Sequence, residues 1–128
     1  MSHFTTIKTK LTDMDAIKKS LKDLNCSFAE GEVLVKGHGG RTTKADLKIA
    51  VSQGYDIGLR KNAAGEIEIV ADWYGVRIHR DEFLQKLTQR YGYHKIVDEV
   101  KKKGFAITNE TVTENNEIKL TVVRRQWV

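Results

Sequence analysis

Residues 36–44, Lys-Gly-His-Gly-Gly-Arg-Thr-Thr-Lys, bring together the groups an anion site uses. Glycines at 37, 39 and 40 allow neighbouring backbone amides to point into one concavity, and Lys36, Arg41 and Lys44 surround it with positive charge. His38 adds a donor whose charge responds to pH near neutrality, and Arg41 adds a planar fork that matches a carboxylate. The pattern is not a phosphate-binding P-loop, because no Lys-Ser/Thr follows the glycines and no helix opens after them. The competing reading is a plain connection between two strands, since tight turns also need glycine. Lys36, His38, Gly39, Gly40, Arg41 and Lys44 therefore form the candidate anion- or partner-binding set. The expectation is that residues 37–41 are exposed and mobile alone, and become ordered around an acidic partner or a small anion.

A second candidate is Asp72-Trp73-Tyr74-Gly75, at the end of an apolar run. Trp73 and Tyr74 either close one end of the core or stand out as interface aromatics, with Gly75 as the turn residue. The remaining chemistry is thin. His3, His38, His79 and His94 show no metal-ligand spacing, and the single Cys26 completes neither a zinc site nor a disulfide. A buried structural thiol is expected there. A free amino terminus at Met1-Ser2-His3 would suit copper or nickel, but removal of Met1 before Ser2 destroys that set. Asp56, Asp72 and His79 are candidates to converge, although spacing alone does not bring them together. The serines lack a nucleophile-elbow context. Neither catalytic residues, nor a metal, nor a cofactor is assigned.

The elements that must position these residues follow from hydrophobic period. Ser2–Thr9 reads as an opening strand. Thr12 is expected to cap a helix carrying Met14, Ile17, Leu21 and Leu24 on one stripe, with Asn25 ending it. Short strands at Cys26–Ala29 and Val33–Lys36 are expected on either side of a Glu30-Gly31 turn. Ala45, Leu47, Ile49 and Val51 alternate with polar residues, and with Ile67 and Ile69 they are expected to face one core. Tyr55–Lys61 and Glu66–Asp72 flank Asn62-Ala63-Ala64-Gly65, a four-residue hairpin connection. Two helical pieces then follow, broken or bent near Gly92, and Gly104 stops the second after Lys101-Lys102-Lys103. Phe105–Thr113 and Glu117–Arg125 close the chain as a hairpin. The order strand, helix, strand pair occurs twice. The expected fold is one α+β domain over residues 1–128: a mostly antiparallel sheet of about six strands with two or three helices on one face, pseudo-duplicated in its plan.

Composition narrows the class further. The 128 residues are 40% hydrophobic and 30% charged, which suits an ordered domain. The opening residues are polar rather than apolar, so a cytosolic or stromal protein without membrane insertion is expected. The net charge of +5 is spread over the chain, and lysine outnumbers arginine by 15 to 7. That reads as steering and solubility more than as the arginine-rich stripe of a nucleic-acid binder.

Three stretches carry a resemblance: Met1-Ser2-His3-Phe4 with Ile7-Lys8-Thr9, Tyr55-Asp56-Ile57-Gly58-Leu59, and Asp72-Trp73-Tyr74-Gly75. Together they resemble the conserved hypothetical chloroplast reading frame thirty-five family, a domain of unknown function shared by cyanobacteria, algal plastids and other bacteria. The resemblance spans nearly the whole chain. It implies a cyanobacterial cytoplasm or plastid stroma and brings no activity, catalytic residue or cofactor.

The leading functional expectation is a non-enzymatic binding or assembly factor for photosynthetic machinery, contacting an acidic protein partner. Its first rival is a nucleic-acid or ribosome-associated basic module, for which the pI near 9.3 and Lys101–Lys103 speak. Its second is a small enzyme that uses His38 and Arg41 on an anionic substrate.

Overall fold

Helix α1 (Met14–Asp23) begins where Asp13, in extended backbone, accepts a hydrogen bond from the amide of Ala16. The cap is thus Asp13 rather than Thr12, because its carboxylate reaches an amide three residues on that would otherwise lack a partner. The helix ends as its sequence predicts. Asn25 adopts a left-handed conformation (φ 58°), and the amides of Asn25 and Cys26 return to the carbonyls of Lys22 and Leu21. A computed structural model describes residues 3–50, 54–76, 78–115 and 117–124. Val51 and the Arg125-Gln126-Trp127 end lie outside those residues, as do Met1 and Ser2.

The strands are β1 (Thr5–Lys8), β2 (Phe28–Lys36), β3 (Thr42–Ile49), β4 (Ile57–Lys61), β5 (Ile67–Ala71), β6 (Phe105–Val112) and β7 (Ile118–Arg124). The first five form an antiparallel sheet in the order β1-β5-β4-β3-β2, and β6 and β7 pair separately. The fold is α+β as expected, with its strands divided between two sheets. The strand pair of the second strand-helix-strand-pair unit therefore repeats the order of the first without joining its sheet, although β5, which precedes α2, does belong to that sheet. Helix α2 (Arg80–Lys102) is continuous through Gly92. A glycine weakens a helix by only about 1 kcal/mol and keeps its N–H, so neighbouring contacts hold the ladder together.

Those contacts come from α1. The Tyr91 hydroxyl accepts from the amides of Thr12 and Asp13 at 3.2 and 3.1 Å. Lys95 reaches Asp13 at 3.0 Å, and Arg90 Nε and His94 Nε2 reach Asp23 Oδ2 at 2.9 and 2.6 Å. Beneath them Ile17, Leu21, Phe83 and Leu87 pack on one face of the sheet against Leu47, Ile49, Leu59 and Ile69.

The other face is covered by the β2–β3 hairpin itself. Strand β2 is continuous, so Glu30-Gly31 is part of a bulge between Glu30 and Val33 and not a turn. An extra residue on one strand bends it and increases its twist. Near the same level β3 leaves β4: pairing stops at Leu47–Leu59, and the Asp46 carboxylate takes the Lys61 amide at 2.9 Å. The outer half of the hairpin then curls across the sheet until the Lys36 carbonyl accepts from the Asp56 amide at 3.1 Å. Val35 comes to lie over Gly58, where a Cβ would overlap its Cγ2 and press on Val70 Cγ1 (3.0 Å) and Ala45 Cβ (3.1 Å). Ala45 therefore leaves the face shared by Leu47, Ile49, Ile67 and Ile69. The bend turns its side chain into this second, smaller cluster.

Leu47 is 1% exposed, so Leu47→Ala should lower unfolding free energy by about 2–5 kcal/mol in chemical denaturation. Gly58→Ala should destabilise as well, through overlap rather than a cavity.

The helix–helix contact carries its own pH dependence. The Lys95 hydrogen bond, helped by the Ala16 amide, holds the Asp13 carboxyl below its ordinary range. Partial desolvation pushes Asp23 up, but the hydrogen bonds and charges of His94 and Arg90 outweigh it and leave that carboxyl lowered too. Both groups stabilise the fold fully above the unfolded carboxylate value of about 3.9, and the contribution is lost as pH falls through the lower folded values. An Asp13→Asn, Asp23→Asn variant keeps a cap acceptor but removes both charges. Its stability deficit at neutral pH should vanish in acid when melting temperatures are compared across a pH series.

Candidate binding surface

Because the β2–β3 hairpin curls over the sheet, its connecting loop arrives beside the residues that precede β4 and follow β5. The loop itself is tight. His38–Gly40 make a single 3-10 turn, the Gly37 amide donates to the Arg41 carbonyl at 2.9 Å, and the Arg41 amide donates to the His38 carbonyl at 3.2 Å. Gly39 and Gly40 have φ of 67° and 77°, the left-handed region that side-chain-bearing residues avoid.

Two buried carboxylates fasten this loop. Asp56, 5% exposed, accepts from the Lys36 amide at 2.8 Å. Asp72, 2% exposed, accepts from the His38 amide at 3.2 Å through Oδ2. Lys48 Nζ stands 3.9 Å from Asp56 Oδ2 and donates to the Leu34 carbonyl at 3.2 Å. Burying a carboxylate is costly unless donors meet it, and here they are amides of the loop that the sequence marks as an anion site. The Lys36 and His38 amides point inward to the protein's own carboxylates. Outward contact is left to the exposed side chains of Lys36, His38, Arg41 and Lys44 and to the Gly39–Gly40 backbone.

The aromatic hinge joins the same structure. Trp73–Gly75 form a second 3-10 turn, with Trp73 partly buried against the core and Tyr74 88% exposed. Tyr55 bridges the two turns. Its amide donates to the Gly75 carbonyl at 3.0 Å, its ring occupies the space a Cβ on Gly75 would need, and its hydroxyl lies 3.3 Å from His38 Nδ1. On the loop's other side the Phe4 ring packs over Gly37. The two candidate sites of the sequence are thus one surface. Of the three possible partners Asp56, Asp72 and His79, the two aspartates share this end. His79 stands at the start of α2, on a groove of 320 Å³ that it lines with Leu24, Cys26, Ile78, Glu82 and Phe83. Cys26 is half-buried there rather than fully buried, and desolvation raises its thiol pKa.

Sequence reasoning missed Tyr55 and the anchoring role of Asp56 and Asp72, although all three lie in the stretches that carry the resemblance. An aspartate beside an apolar run, as in Tyr55-Asp56-Ile57 and Val70-Ala71-Asp72, is the signal available, because a carboxylate that close to a core needs donors. Two polar atoms here are buried without partners among the described residues, Asp72 Oδ1 and Trp73 Nε1. Among those residues no three His, Cys, Asp or Glu side chains gather as a metal site would require. None of their helices is long and apolar enough to cross a membrane.

These features define an antiparallel α+β domain that carries a basic loop fastened at one end of its sheet. The chain belongs to the family described as "Protein of unknown function (DUF1257)", whose model matches residues 20–121. It is similar to the uncharacterized protein ycf35 of Guillardia theta, 42% identical over 97% of this chain and 98% of that one. It is also similar to the protein of the same name in Cyanophora paradoxa, 32% identical over 99% and 100% of the two chains. The corresponding Pyropia yezoensis protein is 29% identical over 97% and 98%. The family resemblance read in the sequence therefore holds. No solved structure matches the chain.

Removing the Asp72 carboxylate tests the anchor. Asp72→Ala leaves the His38 amide without an acceptor, so its hydrogen exchange should accelerate selectively over amides of β4 and β5. Global stability should fall by about 1–3 kcal/mol, the cost of unpairing a buried group. Unchanged exchange at His38 would mean that the loop is held by other contacts.

Proposed function

We propose that this protein is a non-enzymatic binding or assembly factor of photosynthetic cells, working in a cyanobacterial cytoplasm or plastid stroma. It takes an acidic segment of a partner protein on the surface made by the glycine loop and the aromatic hinge. One observation carries the reading: the loop that displays Lys36, Arg41 and Lys44 is tied by buried carboxylates to the hinge that displays Tyr74. A fixed backbone lowers the ordering cost of binding. Arg41 supplies a forked contact to a carboxylate, and Lys36 and Lys44 steer it. Tyr74 supplies an exposed aromatic contact of the kind that anchors protein interfaces. With the Lys36 and His38 amides already engaged inside, side-chain recognition of an acidic peptide suits this surface better than a backbone cradle for a small anion. The family assignment places the chain with the ycf35 proteins of algae, which supports the photosynthetic setting.

Immobilised full-length chain should retain specific proteins from a cyanobacterial lysate, and retention should weaken as salt rises. Arg41→Glu with Lys44→Glu should lower affinity for the retained protein roughly tenfold or more, since reversing rim charges turns attraction into repulsion. Tyr74→Ala should weaken it independently, and neither variant should shift the melting temperature. Equal retention by the charge-reversed variant would overturn the proposal. Loss of the retained material on nuclease treatment would favour the nucleic-acid module instead.

A further inference from the structure

The end of the molecule away from the glycine loop presents a different surface. Among the described residues strands β6 and β7 pair only with each other, and a two-stranded hairpin alone is marginally stable in water. It leans on α2 through β6, leaving an open groove of 650 Å³ lined by Tyr93, Val97 and Lys101 on one side and Ala106–Glu110 on the other. The Glu110 carboxylate, as a hydrogen-bond acceptor for the Tyr93 hydroxyl, raises the Tyr93 pKa above its ordinary value.

The register aligns Val112 with Ile118, Glu110 with Leu120, and Ile107 with Val122, so Val112, Ile118, Leu120 and Val122 share one face with Ile107 and Glu110. Val112 is 66% exposed and Val122 39%, and α2 adds Ile96 at 53%. An apolar strip of this kind on a small domain marks a contact surface.

Charge identifies what covers it. At the base of the hairpin stand Lys101, Lys102, Lys103 and Arg124, with Asp98 and Glu99 nearby on α2, the latter already paired with Lys103 at 3.3 Å. At and near the tip stand Glu110, Glu114 and Glu117, opposed by Lys119. A strand of eight residues separates the two ends by about 26 Å. We propose that this hairpin, with the last turns of α2, is a self-complementary interface for a second copy of the chain. The two hairpins lie antiparallel about a twofold axis, each acidic tip against the other's basic base and strip against strip. A twofold contact repeats every interaction, so one complementary pair of patches counts twice, and a parallel arrangement would oppose like charges. A nucleic acid would meet the base but be repelled by the tip, and an acidic protein would satisfy only one end.

The full chain should sediment with twice its 14.6 kDa mass over a concentration series, and the dimer should weaken as salt rises. Two folded variants, checked by circular dichroism, should each raise the dissociation constant roughly tenfold or more: Lys101→Glu/Lys102→Glu/Lys103→Glu, and Glu114→Lys/Glu117→Lys. Mixed in equal amounts they should re-form a dimer, because at one contact the reversed base meets the reversed tip and at the other the native tip meets the native base. Val122→Asp should abolish association. A chain that stays monomeric at every concentration overturns the proposal, including one that instead binds a nucleic-acid probe through its lysines. So does a dimer that survives both charge variants, or a mixture that fails to reassociate.

Discussion

A carboxylate taken out of water has to be met by hydrogen-bond donors, and the position of the whole loop end follows from how Asp72 and Asp56 meet that requirement. Each finds its donor in a backbone amide of the β2–β3 hairpin, at His38 and Lys36. An amide can reach a carboxylate buried at the end of the sheet only if the hairpin has curled over it. The bulge in β2, the departure of β3 from β4 at Asp46, and the absence of a side chain at residue 58 are the local conditions for that curl. Lose one and the amides do not arrive. Loop, hinge and second apolar cluster are therefore one arrangement with a common cause.

That arrangement is not optimised for stability alone. Among the described residues Asp72 Oδ1 and the Trp73 indole N–H have no partner, and both are buried and adjacent in the chain. Native structures hold few such groups, and those they keep gather where a site has demands besides packing. The helix face of the sheet shows the opposite character: Ile17, Leu21, Leu47, Ile49, Leu59, Ile69, Phe83 and Leu87 pack together at no more than 4% exposure. The two faces divide the labour. One supplies cohesion, and the other uses it to hold a loop in place.

How much of this is legible in the sequence depends on the range of the interaction. Local signals read well. The Met14–Leu24 stripe, the Asn25 and Gly104 stops, the Asn62–Gly65 turn and the alternation through Leu47 and Ile49 each rest on neighbours a few residues apart. Asp13 displaced Thr12 as the cap because both are good cap residues and only geometry chooses between them. Gly92 reads as a break but is carried by contacts of Tyr91 and Lys95 with a helix nearly eighty residues earlier. Glu30-Gly31 reads as a turn because a bulge and a turn use the same residues. At the site, composition singled out the loop and the hinge separately. Their union through Asp72 and Tyr55 spans 34 and 17 residues of chain and leaves no periodic trace. The three stretches that carry the family resemblance all end up around it, through Phe4, Tyr55, Asp56 and Asp72.

The two ends of the molecule solve the problem of presenting a surface in opposite ways. At the loop end the backbone is committed inward, to buried carboxylates and to the Tyr55 ring, and only charged and aromatic side chains face out. Such a surface needs no partner to be stable, and it suits an encounter that forms and dissolves. At the hairpin end the strands satisfy each other and β6 leans on α2, but apolar side chains remain uncovered, so burial against another surface would itself stabilise the hairpin. Lys101–Lys103 and Asp72 stand on different elements and share no hydrogen-bond partner among the described residues, and sites without shared partners usually behave additively.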